Sequence, residues 1–171
     1  SHLKGIAEKG NGILDFIYRV KKRDEFKNEE IQNSIIKAEE QMIKNGIVAV
    51  GDICNTTDTL LQKQKRNLLY YNFIETFQIN EKKIKETLTL VKAIRNEFRN
   101  SGMKATIVPH SPYSVPPKLM EEIRNAFDNE DELLTIHIQE NSDENKLFEK
   151  RDGKLLEWLE SINASPEIWE K

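Results

Sequence analysis

His137 and Glu140 stand three residues apart at the end of an apolar run, Leu133-Leu134-Thr135-Ile136-His137-Ile138. A neutral imidazole ligates a borderline cation such as Zn²⁺, and an unligated carboxylate beside it can take a proton from metal-bound water. The pair therefore offers a metal ligand next to a proton shuttle. The same H-x-x-E spacing also suits a hydrogen-bonded strand histidine followed by an exposed carboxylate at a helix start, and spacing alone leaves both readings open. His110 lies in Val108-Pro109-His110-Ser111-Pro112-Tyr113-Ser114, where two prolines fix a turn that can hold an imidazole rigidly above a strand end. It reads either as a hydrogen-bond donor to a substrate or developing oxyanion, or as a loop histidine without special role. The single cysteine, Cys54, has no base paired with it in sequence and reads as a small core residue rather than a nucleophile. The position of His2 near the chain start assigns it no role. Tyr70-Tyr71-Asn72-Phe73 reads as core rather than as a ligand platform.

The elements that must position these groups alternate between two periodicities. Ile31, Ile35, Ala38 and Met42 recur at steps of three and four, which predicts a helix from Glu29 to Asn45 ended by Gly46. The nearly continuous apolar run from Gly46 to Ile53 is too short for a typical helix and predicts a strand buried on both faces. Asn67 to Phe77 predicts a second buried strand. A helix capped by Asn80 should follow it, with Ile84, Leu88, Val91 and Phe98 inward and Ser101-Gly102 at its close. Lys104 to Val108 predicts a third strand, cut off by Pro109. Ser114, Pro116 and Pro117 then mark a helix start with Leu119, Ile123 and Phe127 on the buried side. Leu133 to Ile138 is the fourth predicted strand, followed by helix from about Asp143 to Leu159 with a break at Gly153. Weaker helical patterns lie at Ile13 to Val20 and near Ile168.

Strand and helix alternating in this way imply βαβ units around a parallel sheet, an α/β class. Reactive groups of such folds gather at the carboxyl ends of strands. Three ends are polar: Cys54-Asn55-Thr56-Thr57-Asp58, the His110 segment, and Gln139-Glu140-Asn141. Side chains alternate along a strand, so His137 and Glu140 face one mouth only if the strand ends between them. The 171 residues fit one domain without internal boundary, either an open four-stranded sheet or about half of an eight-stranded barrel. Neither glycine-rich phosphate-binding signature follows any strand.

Lys and Arg number 26 against 29 Asp and Glu, a net charge of −3 with the two signs interleaved, which disfavours nucleic-acid backbone binding. No apolar run is long enough to span a membrane, no secretion signal opens the chain, and a lone thiol suits a reducing compartment. The expected location is the cytoplasm.

Four blocks carry a family resemblance: Ser1-His2-Leu3-Lys4-Gly5, Gly46-Ile47-Val48-Ala49-Val50-Gly51-Asp52, Val108 to Ser114, and Ile136-His137-Ile138-Gln139-Glu140. In this order, across nearly the whole chain, they resemble the middle of an amidohydrolase-superfamily enzyme of the branch that holds chlorohydrolases and nucleobase or adenosine-derivative deaminases. The resemblance implies part of a metal-dependent (β/α)₈ barrel, strands two to five with their helices. By the same match His137 is the metal ligand at the end of strand five. Glu140 is the catalytic acid/base that deprotonates metal-bound water and returns the proton to the leaving group. His110 contacts the substrate and helps stabilise the tetrahedral adduct. The implied cofactor is a divalent metal, zinc first and iron as the alternative. The implied reaction is hydrolysis of a C–N bond, less so C–Cl, in a small heterocyclic substrate.

The family's H-x-H on strand one would precede Ser1, and its later histidine and aspartate would follow Lys171. His137 alone cannot hold a catalytic zinc, which usually takes three protein ligands. The expectation is an incomplete portion of an enzyme, inactive alone, that associates with a copy of itself or with the rest of the barrel. The competing expectations are a metal-free barrel fragment serving binding or assembly, and an open four-stranded module complete in itself.

Overall fold

A computed structural model describes residues 12–20, 26–128 and 131–164. The Ser1 to Gly5 block with His2, and the helix expected near Ile168, lie outside the described residues. The elements in chain order are α1 (Gly12–Val20), α2 (Asn28–Lys44), β1 (Ala49–Cys54), α3 (Leu60–Lys63), β2 (Leu69–Thr76), α4 (Ile84–Asn100), β3 (Lys104–Pro109), α5 (Pro117–Asn125), α6 (Ser142–Lys150) and α7 (Lys154–Ser161). Two short 3₁₀ turns, Glu81–Lys83 and Pro112–Ser114, precede α4 and α5. The strands form a sheet in the order β1-β2-β3. Of these, β2 and β3 run parallel, from Tyr71 beside Lys104 to Thr76 beside Pro109. The class is α/β.

Contacts divide the described residues into two compact units, those up to Val50 together with Asp58–Tyr70, and Gly51–Thr57 together with those from Tyr71 onward. In the first, α2 begins where the Glu30 carboxylate accepts the Lys27 N–H at 3.0 Å, and it ends at Asn45 and Gly46. Gly46 has φ +80, a left-handed turn that a side chain would strain. The most buried residue of α2 is not one of its apolar stripe but Glu39, 2% exposed. Its Oε1 accepts from Gln62 and Asn67, each at 2.8 Å, and its Oε2 from the Tyr70 hydroxyl at 2.7 Å. A buried carboxylate is tolerable only when its lone pairs are filled, and these bonds fill them.

In the second unit, Asn80 accepts the Lys82 N–H and starts the turn that runs into α4. Ile84, Leu88, Val91, Ile94 and Phe98 make the buried face of α4, which packs on β3. Every residue of β3 after Lys104 is buried. Leu119 and Ile123 of α5 close over the same strand, whereas Phe127 falls beyond the helix and is only half-buried. The expected break at Gly153 separates α6 from α7, which pack together. Gly153 has φ +97, and a Cβ there would come within 3.3 Å of Lys146.

Two strand expectations need correction. β1 is not buried on both faces: Ala49, Gly51 and Ile53 are exposed, and Val48 before it is 74% exposed. The fourth strand is not formed. Residues 132–138 carry no strand pairing, and Leu133, Leu134 and Ile138 are all more than half exposed. A continuous apolar run signals a strand that neighbours cover on both sides, and the described residues supply no such cover. The segment is nonetheless anchored. Arg95 donates to the Ala126 carbonyl at 2.7 Å, Arg99 pairs with Asp128 and with Glu132, and the Tyr71 hydroxyl accepts the Leu133 N–H at 2.9 Å.

Phe98 is fully buried at the α4–β3 contact. Phe98→Ala should cost about 3–5 kcal/mol of stability, read as a lower urea midpoint at unchanged slope. Burial acts to raise the Glu39 carboxyl, but the bonds from Asn67, Tyr70 and Gln62 and the nearby Lys65 cation outweigh it and hold the group below the usual carboxylate range. A depressed folded pKa contributes stability that is present above the unfolded value, about 4.3, and is lost as pH falls through the folded value. Urea titrations from pH 7 down to pH 3 should therefore show the native chain losing stability that Glu39→Gln, already lacking the charge, does not lose.

Candidate metal and proton-transfer site

Thr76 and Pro109 end β2 and β3 side by side, and proline has no N–H to continue the ladder. The next residue takes over: the His110 N–H donates to the Thr76 carbonyl at 3.0 Å, and the His110 carbonyl accepts the His137 N–H at 2.8 Å. The main chain of His110 thus ties the end of β2 to the segment that carries His137. The tight turn Ser111-Pro112-Tyr113-Ser114 folds back beneath the ring, with Ser111 and Ser114 buried. Their hydroxyls lie 2.8 and 2.7 Å from His110 Nδ1, which leaves Nε2 as the nitrogen free of the serines. The ring meets Phe77, Tyr113 and His137 edge-on, with centroids 5.8, 5.7 and 5.4 Å away. Burial pushes the imidazole below its ordinary pKa, with His137 adding to the effect, against the opposing charges of Glu75, Glu140 and Glu144. The lowered pKa favours the neutral imidazole, which can donate a hydrogen bond without carrying a charge.

Glu75, His110 and His137 come together here, each offering one ligand atom within 4.8 Å of the others. Glu75 Oε1 lies 3.3 Å from His137 Nε2, and Glu75 Oε2 accepts from Asn55 Nδ2 at 2.9 Å. One carboxylate oxygen and two imidazole nitrogens are a donor set suited to a borderline divalent ion. The sequence reading missed Glu75. A signal was present: Glu75 shares strand parity with Tyr71 and Phe73 at the carboxyl end of β2, where polar groups of a parallel sheet collect.

Glu140 does not join that trio. Its Oε1 accepts from the Tyr113 hydroxyl at 2.6 Å, and its N–H donates to Glu144 Oε2 at 2.9 Å. Tyr113 is the link, since its ring also touches His110. The extended run breaks between His137 and Glu140, where Gln139 adopts φ +54. That break is the condition strand parity set for the two side chains to share a mouth. Cys54 is buried, its thiol directed at the Asp52 carbonyl and carboxylate and at Asn72 Oδ1, and so is a core residue. Of the aromatic run, Tyr70 serves the Glu39 network, and Tyr71 bonds Thr106 Oγ1 at 2.7 Å besides holding Leu133.

The model of the amidohydrolase family matches residues 2–167. Among curated proteins, a 5'-deoxyadenosine deaminase of Methanosphaera stadtmanae is 28% identical over 134 residues, 74% of this chain and 31% of the relative. A 5-methylthioadenosine/S-adenosylhomocysteine deaminase of Thermococcus sibiricus is 35% identical over 71 residues, 42% of this chain and 16% of the relative. The chain thus spans less than a third of the length of these relatives. Among solved structures, Helicobacter pylori aminofutalosine deaminase in complex with methylthio-coformycin superposes with a TM-score of 0.72 at 22% identity, covering 92% of this chain and 38% of the other. The fold is therefore part of a (β/α)₈ barrel, as the resemblance implied. A family match over nearly every residue, on a parallel sheet whose strand ends gather two histidines and a glutamate, has one reading: the chain belongs to the amidohydrolase family.

Proposed function

We propose that the protein is a metal-dependent deaminase in which this chain supplies the part of the barrel rim that the resemblance assigns to strands two to five, here β1, β2, β3 and the unpaired segment 132–138. The observation that carries the reading is the convergence of His110, His137 and Glu75 at the strand ends, with Glu140 joined to His110 through Tyr113. His137 would hold a divalent ion, zinc first and iron as the alternative, with Glu75 as a further oxygen donor in reach of it. When bound, such an ion lowers the pKa of water to about 7 and so supplies a hydroxide nucleophile at neutral pH. Glu140 would serve as the acid/base, taking a proton from the attacking water and returning it to the leaving nitrogen. With the ion held by His137 and Glu75, the His110 imidazole would serve instead as a hydrogen-bond donor to the substrate and to the charge that develops on it. The net reaction exchanges an exocyclic amine for oxygen: water enters, the C–N bond breaks and ammonia leaves. The named activities of the relatives make an adenosine derivative modified at the 5' position the proposed substrate.

No helix among the described residues is long and apolar enough to cross a membrane. The exposed Leu133, Leu134 and Ile138 support association of this unit with the remainder of a barrel or with a second copy. A single, buried cysteine, Cys54, fits the cytoplasm.

The full-length gene product should contain about one transition-metal ion per chain by elemental analysis and release ammonia from 5'-deoxyadenosine, 5'-methylthioadenosine or S-adenosylhomocysteine. Metal-free protein that turns over none of the three points to the binding-and-assembly role instead. Glu140→Gln should keep the metal and lose at least about 1,000-fold in kcat, and a variant retaining near-native turnover removes the acid/base role. His137→Ala should lose metal and activity together.

A further inference from the structure

Tyr113 lies in the short turn between β3 and α5 and is 4% exposed. Its hydroxyl reaches Glu140 Oε1 at 2.6 Å, the short distance of a charge-assisted bond. Its ring stands edge-on to His110, the two planes at 88°. Burial, the bond to Glu140 and the charge on Glu140 keep the phenol well above its usual range. The phenol is the donor in this bond and the carboxylate oxygen the acceptor. The other end of Glu140 is held as firmly. Its N–H is received by Glu144, 1% exposed on the first turn of α6, and the next residue, Asn141, caps that helix by accepting from the Asp143 and Glu144 N–H groups. Main chain and side chain of Glu140 are thus fixed separately, although the residue itself is exposed.

We infer that Tyr113 is a positioning residue that holds the Glu140 carboxylate in line for proton transfer while bracing the His110 ring, so that proton shuttle and hydrogen-bond donor are set as one unit. The inference rests on the acid/base role of Glu140 proposed above. A free glutamate side chain samples several rotamers, and a general base must meet its proton within hydrogen-bond reach. The bond occupies Oε1 and leaves Oε2 for the reaction. Tyr113 itself moves no proton, and its contribution falls on kcat rather than on ground-state binding.

The test uses the full-length gene product with 5'-deoxyadenosine, 5'-methylthioadenosine and S-adenosylhomocysteine as probe substrates. Tyr113→Phe keeps the ring and removes the donor. It should lower kcat by about 10–100-fold with KM within about twofold and with unchanged metal content and Tm. Replacing Tyr113 with p-aminophenylalanine, which restores an N–H donor at the same place, should recover most of kcat. Glu140→Asp shortens the side chain and breaks the same bond, so adding Tyr113→Phe to it should cost less than about twofold more. Native kcat in Tyr113→Phe, an effect on KM alone, or a full additional loss in the Glu140→Asp background each overturns the inference. An inactive Glu140→Gln beside an unaffected Tyr113→Phe removes only the role of Tyr113. A fully active Glu140→Gln removes the acid/base reading, and the role of Tyr113 with it.

Discussion

His110 joins what would otherwise be three separate pieces. Its N–H and C=O reach Thr76 on one side and His137 on the other, and its ring rests against His137 and Tyr113 while two buried serines engage Nδ1. Pro109, which cannot extend the ladder, hands the pairing to a residue with a functional side chain. The ladder of β2 and β3 therefore ends on a histidine that also holds His137. Residues 132–138 gain no strand partners, so the His137–His110 bond, together with the Tyr71 and Arg99 anchors, is what keeps His137 beside Glu75.

The chemistry follows from the sharing of charge around that junction. Glu75 and Glu140 both act on the His110 imidazole, and each accepts a hydrogen bond of its own, from Asn55 and from Tyr113. The proposed function assigns Glu75 to the cation beside His137 and Glu140 to proton transfer.

Much of this was legible in the sequence because it depended on local physics. The inward residues of α4, the Asn80 cap, the start of α5 at consecutive prolines and the break at Gly153 all follow from periodicity, capping and glycine conformation, which act over a few residues. The missed features depend on partners remote in sequence. Glu39 looks like a solvated helix residue until Gln62, Asn67 and Tyr70 are folded against it. Glu75 looks like a charge near a strand end until His137 arrives from more than sixty residues away. The runs at 46–53 and 133–138 have the composition of covered strands, but composition cannot say whether the covering neighbours are in the same chain. The family resemblance assigned roles to His110, His137 and Glu140. It did not reveal that Tyr113 connects Glu140 to the histidines.

The central claim is that an ion-binding imidazole and a proton-carrying carboxylate share one rim of the barrel. Anomalous diffraction at the zinc edge, from crystals of the full-length gene product grown with zinc, addresses it most directly. The account predicts a peak about 2.0–2.1 Å from an imidazole nitrogen of His137, with the Glu140 carboxylate facing the same ion. An ion bound away from His137, or a Glu140 side chain turned from it, would contradict the account.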